Sequence, residues 1–558
     1  MLLTFYLNLA QKFLPLNKLY FYLLTALLLL NFSFSTAQAP KKIIIEHSDF
    51  VDVQQSEIPG AIVLTGNVVI IHEGIRMTCN KAYQFRESNE VKAFGNVVMI
   101  QGDTLTMNSK YAEYNGDTKF AMATGNVVMR DPKMTLTTDT INFDRNLQEA
   151  FYNTYGTVRD QENVLRSKSG RYFMKQKKLQ FLTAVTVTNP KYVIKSNHLD
   201  YFTNSGHAYL FGPSTITGKD DFIYTEKGFY DTKKNLATLL TNSYIKYNDR
   251  LIKGDSMFYD KAKDFASATR NVKITDSINR GVIRGHYAEV YKQKDSMFVT
   301  KRAVAVNFVE NDSVYIHAKV LMITGKPQDR IIRAFKNARI YKTDMSGKCD
   351  SIHSSERIGL TKMIGKPVLW NGESQMTGDI MHLISNSVTE KLDSLKVLNN
   401  AFIVQKDTLG TGYNQVKGVN LYGKFLDNKL HEVDIIKNTE VIYYNYSEKQ
   451  ELTGIEKAVC SRINMILEDN KITMMTMFDN PDGIFYPEAD LPENARKLRG
   501  FIWRGDERIR TKDDIFPPEE NEYHDKMLKE TEADSIKEEV PMEIRKETLD
   551  YDKKKKGK

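Results

Sequence analysis

Gly66-Asn67-Val68-Val69 returns as Gly95-Asn96-Val97-Val98 and again as Gly125-Asn126-Val127-Val128. A second pattern keeps stricter time: an apolar residue, any residue, a small residue, a polar one, and then apolar or aromatic residues. It starts at Met77, Met107, Leu136, Leu165, Ile194, Ile223 and Ile252, in steps of 30, 29, 29, 29, 29 and 29 residues. Looser copies start at Ile283, Ile316, Met376 and Leu452. A fixed period constrains the fold strongly, because every copy must build one local structure and bury its apolar face on the next. About a dozen units of ~30 residues fill the span from Ile43 to Asp479, with looser periodicity after Val320.

Inside each unit the period is two. Val91, Ala93, Gly95, Val97 and Met99 alternate with Lys92, Phe94 and Asn96, and Ala121, Ala123, Gly125, Val127 and Met129 repeat the set. Alternation of this kind marks strands with one apolar face. In the other half of the unit the parity breaks in mid-strand, since Met77 and Cys79 are in phase and Ala82 is not. Such a break calls for a bulge or corner, placed by the sequence at the recurrent small residue (Ser109, Gly254, Gly285, Gly378) and at Gly-Asn before Val. Strands adjacent in sequence and joined by turns such as 115–117 and 204–206 pair antiparallel. The expected fold is therefore all-β: an elongated repeat of bent antiparallel strands forming a V-shaped trough. Two dozen strands at ~4.8 Å each would extend it roughly 120 Å. A parallel β-helix is the alternative.

The ends differ from the array. Lys12 and Lys18 precede an apolar run to Leu30, followed by Ser35-Thr36-Ala37-Gln38, the order of a secretory signal peptide with cleavage expected between Ala37 and Gln38. Residues 1–37 are thus expected to be the signal, 41–320 the regular array and 321–479 its divergent part. Residues 480–518, with Phe501 and Trp503, read as a segment that caps or docks on the end of the trough. Residues 519–558, rich in Glu, Lys and Asp and ending in lysines, read as a disordered tail.

Composition excludes more than it assigns. The net charge of +8 comes from 78 basic and 70 acidic residues interspersed along 558, which is not a nucleic-acid footprint. Cys79, Cys349 and Cys460 are too few and scattered for a disulfide framework or zinc site. Gly418 to Phe425 has phosphate-loop spacing, but Phe425 stands where the magnesium-binding hydroxyl belongs, within a strand repeat, and Gly359 to Lys366 fails on spacing. His198, His207, His286, His317 and His382 fall at different positions of different units, without ligand spacing. Asp255 and Asp379 recur because the repeat recurs, at a bend. No catalytic residue, metal site or cofactor is expected.

The tandem Gly-Asn-Val strands, each followed by apolar-x-(Ser/Ala)-(Asp/Asn)-x-Ala-x-Tyr strands, resemble the OstA-like family. That family includes the periplasmic lipopolysaccharide-transport bridge protein and the N-terminal domain of the outer-membrane lipopolysaccharide translocon. The resemblance is best over residues 60–300, on Gly66-Asn67-Val68, Gly95-Asn96-Val97 and Gly125-Asn126-Val127, and extends to about 480. It implies the β-taco, or β-jellyroll, with a hydrophobic groove for lipopolysaccharide acyl chains and edge strands that pair end to end with other OstA-like transport proteins. This chain departs from the family in carrying about three times the repeats of a single-domain bridge and no outer-membrane barrel after residue 480.

The expected function is a non-enzymatic periplasmic carrier of lipopolysaccharide or a lipid A-type glycolipid, in contact with inner- or outer-membrane complexes. The expected groove residues are Val68, Ile70, Met77, Val97, Met99, Met107, Val127, Met129, Leu136, Ile194, Ile223 and Ile252. An envelope scaffold that binds proteins, and a β-helix polysaccharide enzyme, are the other readings.

Overall fold

In the computed structural model, residues 42–538 are described apart from 55–57, 104, 161, 248–249, 277–280, 310–311, 327–328, 390, 428 and 469–470. The expected signal peptide lies outside the described residues. Among the described residues there are 36 strand segments between Ile44 and Tyr486. All pairings among the described residues are antiparallel, for example Ile62–His72 with Ile75–Phe85 and Glu90–Gln101 with Leu105–Asn115, which rules out the parallel β-helix there. The fold is the all-β repeat of bent strands. It divides into two compact units: one reaches to Gln161 and takes in Lys168–Gln176, and the other comprises Glu162–Ser167 and the chain from Lys177. The bent-strand pattern itself runs unbroken through Val320, since Asp312–Thr324 pairs with Ile331–Lys342.

Most bends come from two consecutive residues in the left-handed region opposite a single residue on the neighbouring strand; at the bend after Phe211 only Gly212 is left-handed, its neighbour being Pro213. Thr65 pairs with Lys81 and Val68 with Cys79, so Gly66 and Asn67 together face Asn80. Gly66 has φ 79° and Asn67 φ 43°, and the same occurs at Gly95/Asn96, Gly125/Asn126, Arg270/Asn271, Lys336/Asn337 and Asn399/Asn400. Gly and Asn adopt this conformation at least cost, which explains why the repeat keeps writing them. An acid on the preceding strand often ties the bend down. Asn67 donates to Asp49 at 3.0 Å, Asn271 to Asp255 at 2.9 Å and Asn400 to Asp379 at 3.1 Å. The recurrent Asp255 and Asp379 thus serve the bend.

The small residues of the other strand act differently from the expectation. Ser109, Gly254, Gly285 and Gly378 are absent from the positive-φ residues, so the left-handed turn belongs to the facing strand. They are small because there is no room beside the bend: a Cβ on Gly285 would lie 2.6 Å from Val299 Cγ1, and one on Gly254 3.1 Å from Ala268 Cβ.

The bend divides every strand into two halves, which stack into an A arm (residues 62–65 and 81–85 in the first pair) and a B arm (68–72 and 75–79). Side chains on the inner faces form continuous rows across the strands. In the first unit the A-arm row runs Leu64, Ala82, Ala93, Ala112, Ala123, Ile141, each 0% exposed. The B-arm row runs Ile70, Met77, Met99, Met107, Met129, Leu136 and Val158. In the second unit the B-arm row is Ile194, Ile216, Ile223, Ile245, Ile252, Ile274 and Ile283. Burying each large side chain contributes about 1.5–3 kcal/mol, so the rows hold the arms together.

After the last strand the chain does not cap an end, as the sequence reading expects. It turns back and runs along the outer face of the B arm. Gln415 Nε2 donates to Arg496 O at 2.8 Å, and its Oε1 accepts from Leu498 N at 2.9 Å. Gln375 does the same to Ile502 O and Arg504 N, both at 2.6 Å. Phe402, Val404, Ile442, Tyr444 and Ile455 pack under Leu491 and Leu498, with Phe501 and Trp503 beside them. Further back, Arg339 donates to Asp514 O and Ile515 O at 3.3 Å. The strap ends in a helix, α1, at Pro518–Glu538, where a disordered tail is expected from residue 519. Three docking residues, Asn521, His524 and Met527, recur at helical spacing on this otherwise charged stretch, and overall composition does not reveal such a stripe. Residues 539–558 lie outside the described residues.

Candidate functional site: the space between the arms and its lip

All twelve expected groove residues lie on the inner faces, none more than 6% exposed. Nine belong to the first unit. Ile70, Met77, Met99, Met107, Met129 and Leu136 are neighbours in one B-arm row, and Val68, Val97 and Val127 follow directly after the Gly-Asn bends. Ile194, Ile223 and Ile252 share the corresponding row of the second unit. The sequence thus pointed to inner-face positions in both units. Those faces are shut: with exposures of 0–6% the arms touch, and the inner faces pack as a core does.

The A-arm row of the first unit is mostly alanine and the B-arm row mostly methionine. Methionine is unbranched and adapts to irregular neighbours, and alanine leaves the facing volume to it. Such a pairing can repack around a guest chain at lower cost than interlocked β-branched residues.

Polar groups gather at the lip, where the tips of the two arms meet. Tyr114, Phe143, Tyr172, Tyr201, Tyr230 and Tyr259 stand at the A-arm tip, each buried and each 29 residues from the last. Four of their hydroxyls cross to the B-arm tip. In the first unit Tyr114 Oη is 2.7 Å from His72 Nδ1, and Tyr172 donates to Asp131 at 3.1 Å. In the second, Tyr201 Oη accepts from Asn163 at 3.5 Å, and Tyr259 donates to Asp221 at 2.6 Å. Tyr230 meets the opposite tip through its ring, 5.0 Å edge-to-face from Tyr192. Charged bridges join them: Lys119 with Glu73 at 2.7 Å, Lys261 with Asp221 at 3.3 Å, and Arg330 with Asp276. Burial pushes the phenols of Tyr172, Tyr230 and Tyr259 up, so they stay protonated and able to donate. The Lys119 hydrogen bond holds the Glu73 carboxyl below its usual range.

The tyrosines were visible in the repeat as its aromatic terminus. Their partners were not: nothing in the period marks Asp131 or Asp221.

The second unit also has a cavity of about 1230 Å³ on the outside of its bends, under the strap, lined among others by Arg339, Lys366, Asp379, Lys417 and Arg504. Most of its charges are already matched, as in Lys417 with Glu440 at 2.7 Å and Lys348 with Glu507 at 3.7 Å. Among the described residues no cluster of His, Cys, Asp or Glu could hold a metal ion. Cys79 and Cys349 are buried thiols, pushed up to about 11 and about 12 by desolvation, which is the reverse of a reactive cysteine. No helix among the described residues is long and apolar enough to cross a membrane.

Part of the chain is similar to known proteins. Residues 40–197 match the OstA-like protein family. No curated protein matches the chain. Among solved structures, one similar chain is LptH of Pseudomonas aeruginosa, described as the LptA-homologous periplasmic component of the lipopolysaccharide transport device. It is 16% identical over 19% of this chain and 81% of its own, with a TM-score of 0.18. The likeness to that family covers the stretch that carries the Gly-Asn bends of the first unit.

Proposed function

We propose that the protein is a periplasmic, non-enzymatic carrier that holds the acyl chains of lipopolysaccharide, or of a related lipid A-type glycolipid, between its arms. The observation that carries this reading is the buried apolar row along the inner face of each unit, alanine and methionine in the first and isoleucine in the second, with the charged and tyrosine groups gathered at the lip. An acyl chain needs an extended apolar slot, and its head group needs a wet, hydrogen-bonding rim. The OstA-like match over residues 40–197 and the bent-strand architecture support it.

The end strands support partners that add by strand pairing. At the first edge, Ile44, Phe50 and Val51 are 61%, 73% and 55% exposed; at the last, Met474, Ile484 and Phe485 are similarly open. Long, exposed apolar edges are a hazard unless something pairs with them.

A photo-crosslinking side chain at Met99 (inner) and at Ile100 (outer) tests the carrier. Illumination in the native envelope should attach a glycolipid at position 99 and none at 100. Equal labelling at both positions, or none at 99, removes the assignment. The closure of the inner faces favours one other reading, an envelope scaffold whose interior is only a core, and that reading expects the second outcome.

A further inference from the structure

We infer that the lip is a latch, and that an amphiphile enters sideways by parting the tyrosine bridges between the arm tips, not by threading from an open end. The inference rests on the carrier reading and adds where the lipid is admitted.

Three observations meet. Apart from Ile283 at the end of its row, the named inner-row residues are 0–6% exposed, so no acyl chain reaches them in this state without the arms separating. The bends, on the opposite side from the lip, are where the strands change direction, and several use residues that take the left-handed region at little cost, such as Gly95 and Asn96. Opening therefore flexes the bend and breaks the bridges at the lip. Those bridges are polar and few, about one set per repeat: His72 with Tyr114, Asp131 with Tyr172, Asn163 with Tyr201, Asp221 with Tyr259.

The bridges suit a latch better than an apolar seam would. A hydrogen bond at the water boundary is exchanged for one to water or to a head group at small net cost, whereas an apolar seam opened to water finds no substitute partner there. Parting the arms also separates Lys119 from Glu73 and Lys261 from Asp221, which presents ammonium groups to the phosphates of an anionic lipid while its chains enter between the rows. Because the aromatic tips recur every 29 residues and four of the six carry a separate bridge, one bridge can open while the others stay closed.

The test uses the full chain with its native cysteines replaced. Cysteines are placed at positions 131 and 172, and separately at 221 and 259, and each pair is joined by a short bismaleimide. The probe is a fluorescent diacyl phosphatidylglycerol in vesicles, and uptake is timed. Tyr172→Phe and Tyr259→Phe keep the rings and the apolar packing while losing the bonds; unchanged circular dichroism serves as the fold control. The latch expects uptake to slow at least about tenfold on bridging and to quicken by up to about tenfold in the Phe variants. Unchanged uptake in the bridged proteins, with normal loading before bridging, overturns sideways admission and leaves the carrier standing. Failure of the unmodified protein to take up any probe overturns the carrier and the latch with it.

Discussion

Asn126 shows how a single residue decides the fold. Its φ of 56°, next to Gly125 at 84°, turns the strand and so aligns Val127 and Met129 with the interior. Asn126→Val forces a β-branched residue into the left-handed region and should cost about 1–2 kcal/mol, while Asn126→Gly should be near neutral. Chemical denaturation of the two variants measures the difference; equal stability would show that the bend is imposed by the sheet and not by the residue. Met129 lies in the row the bend aligns, 2% exposed, and Met129→Ala should cost about 2–5 kcal/mol in the same experiment. At this scale the sequence was highly legible. The alternation, its break at Ala82 and the Gly-Asn pairs are all local, and local geometry is what spacing records. What it misplaced was the small residue of the facing strand, because Gly285 and Gly378 answer to crowding from Val299 and Val397, residues 14 and 19 positions away.

The strap and α1 belong to the next scale. Gln375 is 0% exposed and both ends of its amide are used on strap backbone. Gln375→Leu leaves a carbonyl and an N–H without partners under the strap, so hydrogen exchange across residues 496–510 should speed up while the strand ladders stay protected. Uniform exchange in both proteins would mean that apolar packing alone holds the strap. Helix α1 docks through His524, 3.0 Å from His286, with Asn521 on Arg302 at 3.1 Å and the Arg302 guanidinium 3.8 Å over Phe516. Around this pair lie Lys301, Arg302 and Asp525, with His317 and Glu520 facing each other at 3.8 Å. Burial pushes His286 down to about 4, reinforced by His524 and Arg302, and His317 down to about 4 as well. The undocked histidines would titrate near 6.5 and bind more protons than the docked ones between those values. Docking is therefore strongest above about pH 6.5 and weakens as pH falls towards 4. Proteolysis within α1 should be faster at about pH 5 than at about pH 7.5, and a pH-independent rate would contradict the histidine contact. None of this was legible in the sequence, since His286 and His524 are 238 residues apart and the charged composition after residue 519 suggested only disorder.

For the molecule as a whole, repetition is the governing fact. Within each unit a repeat packs chiefly on its neighbours, so stability accumulates repeat by repeat, and each unit's interior is extended by copying. That made the fold class and the inner residues readable from the chain alone. The period could not say whether the inner surface is a slot or a core, because both need the same alternation. The most direct measurement of the central claim is native mass spectrometry of the protein gently extracted from its own envelope. The carrier account expects an adduct with the mass of an acylated, phosphorylated glycolipid, lost when Tyr-bridged arms are closed by crosslinking before lipid is supplied. A folded protein that emerges at its bare mass, with no lipid in the extract it releases on denaturation, would contradict it.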